Sequence, residues 1–390
     1  MPAVAPRRVR LIRDVERAVR GGHPWIYRDA LAPHDVPPGE TVRVDGRDGR
    51  FLALGLAERG PIGVRVLSLR SAEPVGEALL RRRVAEAAAL RRRVIGGDTD
   101  AFRALHGEGD RLPGAVCDVY GRTAVLRLDG RAMDRWVGAL ARALAEEHGA
   151  RGVLLRRSRR EAEEPRAVRG EVLPGPAAVV ENGMRLLVDP WRGQKTGSFL
   201  DHRDSRHRVR GLADGARVLN LYGYTGGFSI AAGLGGASSV DTVDLSAPAL
   251  GLAERGWIDN GLAPARHRVH AAAVEAFLDR ARGRAERWDL VIADPPSFAP
   301  SEATRRKALG AYRALHRACL RVVAPGGLYL AASCSSHVGR ESFERTLRDA
   351  AGKAKRSLAV LARWGAAPDH PVLLSFPEGD YLKVTLCAVR

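Results

Sequence analysis

The hydrophobic pattern changes character twice along the chain. Residues 9–69 hold short β-type runs (41–44, 51–55 and 63–67) separated by turn residues. Asp45-Gly46 and Asp48-Gly49 between the first two runs predict a hairpin connection, since glycine accepts the backbone angles of tight turns. This stretch predicts a small β-barrel with one early helix. Over residues 76–94, Ala and Leu recur at helical spacing among arginines and predict a long helix. Residues 115–119, 124–128 and 152–155 read as strands, with a helix over 134–148 between the last two. The segment 156–176, rich in charge, Pro and Gly, reads as a mobile or nucleic-acid-facing connection.

From residue 217 the pattern becomes strand–helix alternation. The strands are 217–221, 239–243, 267–270, 290–293 and 328–332; the helices are 228–234, 247–260, 274–281 and 312–323. Such alternation predicts a parallel sheet covered on both faces. A last β-type run, 381–389, is expected to close an edge of that sheet.

Composition narrows the picture. A chain of 390 residues suits two or three domains. No apolar run approaches the ~20 residues that span a bilayer, and the opening Met1-Pro2-Ala3-Val4-Ala5-Pro6 does not read as a secretory signal. The four scattered cysteines form neither a disulfide framework nor a Cys-x-x-Cys pair, so a reduced, cytoplasmic setting is expected. No residues stand at metal-ligand spacing, and no metal is expected. The net charge of +18 favours a polyanionic partner over a neutral metabolite. Residues 191–390 carry the largest excess, 29 Lys/Arg against 19 Asp/Glu. Of the basic residues 58 are Arg and 5 are Lys, a skew that points to codon bias as well as to function. The runs Arg81-Arg82-Arg83 and Arg91-Arg92-Arg93 lie about three turns apart on one helix, as an exposed face or a basic stripe.

The candidate chemistry sits in two stretches. One apolar strand runs into Asp294-Pro295-Pro296-Ser297 and another into Ser333-Cys334-Ser335. The prolines remove two backbone donors and fix φ, which holds the turn extended. If the strands are parallel, carboxylate and thiol share one sheet edge. That pairing suits chemistry on a flat, electron-poor ring, with the thiol as nucleophile and the acid on the ring's polar edge. The first strand leads into Asn220-Leu221-Tyr222-Gly223-Tyr224-Thr225-Gly226-Gly227-Phe228, a glycine-rich turn without the G-x-G-x-x-G spacing. Asp244 ends the second strand, where a carboxylate accepts both hydroxyls of an adenosine ribose. These two features fit NAD and S-adenosylmethionine alike. The Asp-Pro-Pro turn favours the second, because base-modifying methyltransferases place the target base there.

The chain resembles, nearly end to end, the ribosomal RNA large-subunit methyltransferase I family, whose members make 5-methylcytidine in 23S rRNA. The matching stretches begin with His23-Pro24-Trp25-Ile26-Tyr27, Gly109-Asp110-Arg111-Leu112-Pro113-Gly114 and the run from Gly193-Gln194-Lys195-Thr196 to Asp201-His202-Arg203. Tyr224-Thr225-Gly226-Gly227-Phe228, Asp294-Pro295-Pro296-Ser297-Phe298, Ser333-Cys334-Ser335 and Asp369-His370-Pro371 follow. The resemblance implies an α/β protein in three parts. A PUA-like RNA-binding barrel occupies 1–72, a central α/β segment 73–190, and a Rossmann-like class I methyltransferase domain 191–390.

The resemblance further implies that Cys334 and Asp294 are catalytic. It places S-adenosylmethionine against Asn220, Tyr222, Tyr224, Thr225, Gly226, Gly227, Phe228, Asp244, Leu245, Ala273, Asp294 and Pro295, covered by Lys195 and Thr196. RNA would meet His23, Trp25, Lys195, Phe199 and Arg203, although Trp25 reads equally well as barrel core. The expected partner is 23S rRNA or a large-subunit assembly particle; a homodimer is compatible with the resemblance and no membrane is involved. Two departures stand out. Ser297 occupies the place where many cytosine-5 methyltransferases of RNA carry a second Cys, and Ala273 the place where an Asp usually meets the adenine amine. Cys117, Cys319 and Cys387 read as core. Two other readings remain at this stage: methylation of another base atom such as a guanine nitrogen, or a non-catalytic rRNA-binding assembly factor.

Overall fold

A computed structural model of the chain describes residues 6–157, 163–299 and 301–390. They form two compact units. One takes its described residues from 1–177, 189–198 and 368–379; the other takes them from 178–188, 199–367 and 380–390.

The first unit contains two sheets. The first is built from β1 (Arg7–Arg10), β2 (Trp25–Tyr27), β3 (Thr41–Asp45), β4 (Phe51–Ala57) and β5 (Ile62–Ser68), in the order β1-β3-β4-β5-β2. The helix α1 (Glu16–Arg20) lies between β1 and β2 in the chain. β3 and β4 pair antiparallel, as the Asp-Gly turns between them predict. Val42, Val44, Ala53 and Val64 are fully buried in the core of this sheet. After α2 (Glu77–Val94) comes the second sheet, of β6 (Ala101–His106), β7 (Ala115–Tyr120), β8 (Thr123–Leu128), β9 (Gly152–Arg156) and β10 (Arg166–Gly170). Its order is β10-β9-β8-β7-β6, with α3 (Val137–His148) connecting β8 to its parallel neighbour β9. β10 pairs antiparallel with β9, so part of the expected 156–176 connection is sheet. Residues 158–162 of that connection lie outside the described residues.

The arginine stripe does not form. Arg83 and Arg91 are buried, at 7 % and 1 % exposure, on the inner face of α2. Arg91 makes a bidentate pair with Asp110 (2.6 and 2.7 Å) and also donates to the Arg103 and Asp369 carbonyls. Arg81, Arg82 and Arg92 instead pair with acidic neighbours at the surface.

The second unit opens with the hairpin β11 (Ala177–Glu181) and β12 (Met184–Val188), then α4 (Arg203–Arg210). A seven-stranded sheet follows from β13 (Arg217–Leu221), α5 (Gly227–Leu234), β14 (Ser239–Asp244), α6 (Ala247–Asp259), β15 (His267–Ala271) and α7 (Val274–Gly283). It is completed by β16 (Trp288–Ala293), α8 (Arg305–Val322), β17 (Val323–Ser333), α9 (Arg340–Ala354), β18 (Leu358–Trp364) and β19 (Lys383–Val389). The order is β15-β14-β13-β16-β17-β19-β18. The first five strands are parallel, and β19 runs antiparallel between β17 and β18. The final β-run therefore does not close an edge; β18 does. In the central strand β16 every residue but Asp289 is buried, because helices cover both faces. α8 begins seven residues before the expected start. Ser301 and Thr304 form a reciprocal cap before it, while its first turns are polar and carry little apolar signal.

No helix among the described residues is long and apolar enough to cross a membrane.

Candidate active site

Parallel pairing of β16 with β17 brings the two predicted stretches to one edge of the sheet. Ala293 stands opposite Ala331 in the register, so Asp294 and Cys334 leave neighbouring strands at their carboxyl ends. A hydrogen-bond cluster ties the two loops together. Ser335 Oγ meets Ser297 Oγ at 3.1 Å and accepts from the Ala299 amide at 3.3 Å. The Tyr312 hydroxyl, on the buried face of α8, reaches Ser333 Oγ at 2.8 Å and Ser335 Oγ at 2.9 Å. Burial raises the Tyr312 pKa against the lowering effect of its two serine hydrogen bonds, and the charges of Cys334 and Asp294 add to the rise. Ser333 and Ser335 are thus structural, and Ser297 serves as a strut between the loops.

One partner of Asp294 carried no expected role. His202 is buried, and its Nε2 lies 3.2 Å from Asp294 Oδ2. Its Nδ1 side meets Ser205 Oγ at 3.2 Å, which in turn accepts from the Trp364 indole at 2.8 Å. The ring also packs edge-on against Phe228. Burial alone lowers the His202 pKa, but the charge and hydrogen bond of Asp294 outweigh it, and the net shift is upward. The protonated form of His202 is therefore favoured beside the Asp294 carboxylate. The only signal in the sequence was the position of His202 inside the Asp201-His202-Arg203 motif.

The glycine-rich turn after β13 is built for close approach. Tyr222 and Tyr224 both hold positive φ (59° and 47°), rare for bulky residues and a mark of functional turns. Gly226 has φ +78°, and a Cβ there would lie 2.5 Å from that of Ala253; one at Gly223 would lie 2.5 Å from Thr242 Cγ2. Asp244 accepts from the Tyr224 amide (2.9 Å) and the Ser246 amide (2.8 Å), one bond per oxygen. Each carboxylate oxygen keeps a lone pair for a further donor. Asn220 is 1 % exposed and donates to Ser229 Oγ at 2.8 Å, while its Oδ1 has no partner among the described residues. A buried orphan acceptor and a half-committed carboxylate beside a glycine turn fit a ligand with an adenosine ribose and an ammonium group. Thr225 and Phe228 are buried, Gly227 is half-buried against the Arg206 side chain, and Pro295 is buried beside Asp294. Leu245 is 77 % exposed next to Asp244. Ala273 caps α7 with no side-chain bond, and two residues on, Glu275 accepts from the Tyr222 hydroxyl at 3.4 Å.

A model of S-adenosylmethionine-dependent methyltransferases matches residues 125–376, and one of PUA-like domains matches 9–69. A ribosomal RNA large subunit methyltransferase of Deinococcus radiodurans is 39% identical over 97% of this chain and 97% of its own. A ribosomal RNA large subunit methyltransferase I of Erwinia tasmaniensis is 34% identical over 98% of this chain and 99% of its own. The chain belongs to the ribosomal RNA large subunit methyltransferase I family. The fold agrees with solved structures of low identity. A SAM-dependent methyltransferase from Streptococcus mutans superposes with TM-score 0.87 at 22% identity, covering 98% of this chain and all of that one. A methyltransferase structure complexed with SAH gives the same score and identity over 99% of this chain.

Within this methyltransferase the remaining expected residues divide between the units. In the second unit, Phe199 packs edge-on against Tyr224 at 5.4 Å, beside the glycine-rich turn. Its carbonyl accepts from Arg206 at 3.0 Å, and Arg206 is itself paired through two bonds with buried Glu181. Arg203 is 3 % exposed, which leaves little of its side chain for direct RNA contact. In the first unit, Lys195 is exposed at φ 53°. Thr196 is buried, with its hydroxyl bonded to Asp118 and 3.1 Å from the Tyr120 hydroxyl. That hydroxyl is spent on shaping the Gln194-Lys195-Thr196-Gly197 turn. Trp25 is half-buried; its indole donates to Glu108 at 2.8 Å and packs on Phe376 at 4.6 Å. His23 packs on the same Phe376 at 5.6 Å. Gly109 is needed because a Cβ there would lie 2.0 Å from the Pro371 carbonyl, which explains how the Gly109–Gly114 and Asp369–Pro371 motifs belong together.

Cys117, Cys319 and Cys387 are buried, and burial pushes the last two thiols up to about 12 and 11. Cys334 is the only cysteine with partial access to solvent.

Proposed function

We propose that this enzyme methylates C5 of a cytosine in large-subunit ribosomal RNA through a covalent bond from Cys334 to C6. The observation that carries the reading is the one accessible thiol standing beside Asp294 at the end of adjacent parallel strands. The names of the relatives support ribosomal RNA as substrate.

The residues divide the work as follows. C5 of cytosine is too weak a nucleophile to take an electrophilic methyl group directly. As Cys334 Sγ bonds to C6, the C5–C6 double-bond electrons move toward N3, which takes a proton from the Asp294–His202 pair. The ring is now an enamine, nucleophilic at C5. S-adenosylmethionine supplies the methyl group from its sulfonium sulfur. Asp244 and Asn220 would hold the donor's ribose and amino-acid ends, and the Tyr222–Phe228 turn would orient it. After transfer, the C5 proton leaves to a base, the C6–Sγ bond breaks, and its electron pair returns to sulfur. In this reading Asp294 takes the C5 proton and passes it to His202, and the proton on N3 leaves to solvent as the C6–Sγ bond breaks, so that the pair and the thiolate are both restored. Ser297, in the place of a second cysteine, cannot displace Cys334, so release depends on C5 deprotonation alone. In this reading residues 1–72 grip the RNA, 73–190 form the connecting segment, and 191–390 hold the chemistry.

The test is to incubate the protein with S-adenosylmethionine and unmodified rRNA, then map 5-methylcytidine for wild type and Cys334→Ala. Loss of product in the variant is expected. Full product from Cys334→Ala, or a methylated guanine, overturns the reading.

A further inference from the structure

The chain uses arginine almost wherever it needs a cation, with 58 Arg to 5 Lys. Four of the five lysines (Lys195, Lys307, Lys353 and Lys355) are exposed. The fifth, Lys383, is 3 % exposed at the start of β19. It stands opposite Ser333 in the β17–β19 register, and its Nζ donates to the Ser335 carbonyl at 2.7 Å and the Tyr381 carbonyl at 2.7 Å. The lysine thus lies under the Ser333-Cys334-Ser335 turn, bonded to one side of it and paired with the other.

We propose that Lys383 is a positioning residue that holds Cys334 as a thiolate, acting on the reaction through the nucleophile and not through the substrate. This rests on the Cys334 reading given above. An ammonium has three donors; two are given to carbonyls, and the third serves the sulfur. The Sγ–H bond breaks, the proton passes to the Lys383 amine, and the electron pair stays on sulfur. When the C6–Sγ bond later breaks, the pair returns to a sulfur that still faces a cation. A guanidinium could supply the charge but could not take up the thiol proton. It cannot be deprotonated in a protein, and its five donors would leave several N–H groups unsatisfied in a buried site. That is a physical reason for lysine here in a chain that otherwise prefers arginine.

The electrostatics agree with the geometry. Burial is the main influence and lowers the Lys383 pKa to about 8; Cys334 and Asp380 act to raise it and Arg340 to lower it. These neighbours come from every side. Cys334 follows β17, Asp380 precedes β19, and Arg340 opens α9 with its guanidinium donating to the Trp364 and Val384 carbonyls. From α8, Tyr312 faces the Cys334 turn.

The experiment follows Cys334 alkylation by iodoacetamide across about pH 5 to 10, read by peptide mass spectrometry on the full chain. The three buried cysteines provide internal references. Wild type is expected to ionise below the ordinary thiol value of about 8.5. Lys383→Met should raise the midpoint by about one unit or more, which makes alkylation at neutral pH about tenfold slower. Lys383→Arg, if accommodated, keeps a fixed charge and should hold the midpoint low while impairing the fold. A purely structural lysine would leave the midpoint of Lys383→Met where it is in wild type, and that result overturns the proposal. If Lys383→Met fails to fold, wild type decides alone: a thiol midpoint at or above about 8.5 overturns it. The titration needs no RNA, so full methylation by Cys334→Ala would sink the cytosine reading and leave the Lys383 result standing.

Discussion

Replacing His202 with Gln removes the charge opposite Asp294 while an amide can keep a hydrogen bond. The pair is 3.2 Å apart. At an effective dielectric of ~20 the gross attraction is about 5 kcal/mol. Desolvation of a buried pair offsets several kcal/mol of that. Asp294 keeps 20 % of its side-chain exposure, so part of its hydration survives. The net contribution is therefore about 1–2 kcal/mol. The pH dependence fixes its sign. Burial lowers the His202 pKa and Asp294 raises it, with a net rise above 6.5. A group whose folded pKa lies above its unfolded one stabilises fully below the unfolded value and loses that stability as pH rises through the folded value. Urea unfolding of wild type and His202→Gln should then show a larger difference at about pH 6 than at about pH 9. A difference equal at both pH values would refute the claim that His202 carries the proton of the pair.

Two other perturbations test the proposed cofactor role of the glycine-rich turn and of Ala273. Gly226→Ala forces a Cβ to within 2.5 Å of Ala253 Cβ at φ +78°. Left-handed backbone strain and overpacking together should cost about 2–4 kcal/mol and abolish S-adenosylmethionine binding by calorimetry; a stable variant with unchanged binding contradicts the close packing of the turn. Ala273→Asp supplies the missing N-cap of α7 and a carboxylate for the adenine amine. It should stabilise the protein by about 0.5–1 kcal/mol and tighten the cofactor several-fold in the same titration; unchanged affinity would place the adenine elsewhere.

What the sequence revealed followed from periodicity. Strands β16 and β17 were legible because helices cover both faces, which leaves near-continuous apolar runs. The Asp294 and Cys334 turns were legible because each closes such a run. β6 was missed because its burial follows no period of two, and β18 because it is an edge strand with Val360 and Leu361 exposed. The buried arginines of α2 were misread because a charged residue on a helix normally faces water. What keeps Arg91 inside is Asp110 and the Asp369 carbonyl, the latter 278 residues away, and neither shows in a local pattern. His202 and Lys383 were hidden for the same reason, since their importance lies in what the fold sets beside them.

The most direct test of cytosine-C5 chemistry is to trap the bond from Cys334 to the ring. RNA carrying 5-fluorocytidine has no C5 proton to lose, so the methylated adduct cannot break down. Wild type with S-adenosylmethionine should give a denaturant-stable protein–RNA complex whose linked peptide contains Cys334, and Cys334→Ala should give none. A complex that forms equally well with Cys334→Ala, or methyl transfer to natural rRNA at a position other than cytosine C5, would contradict the account.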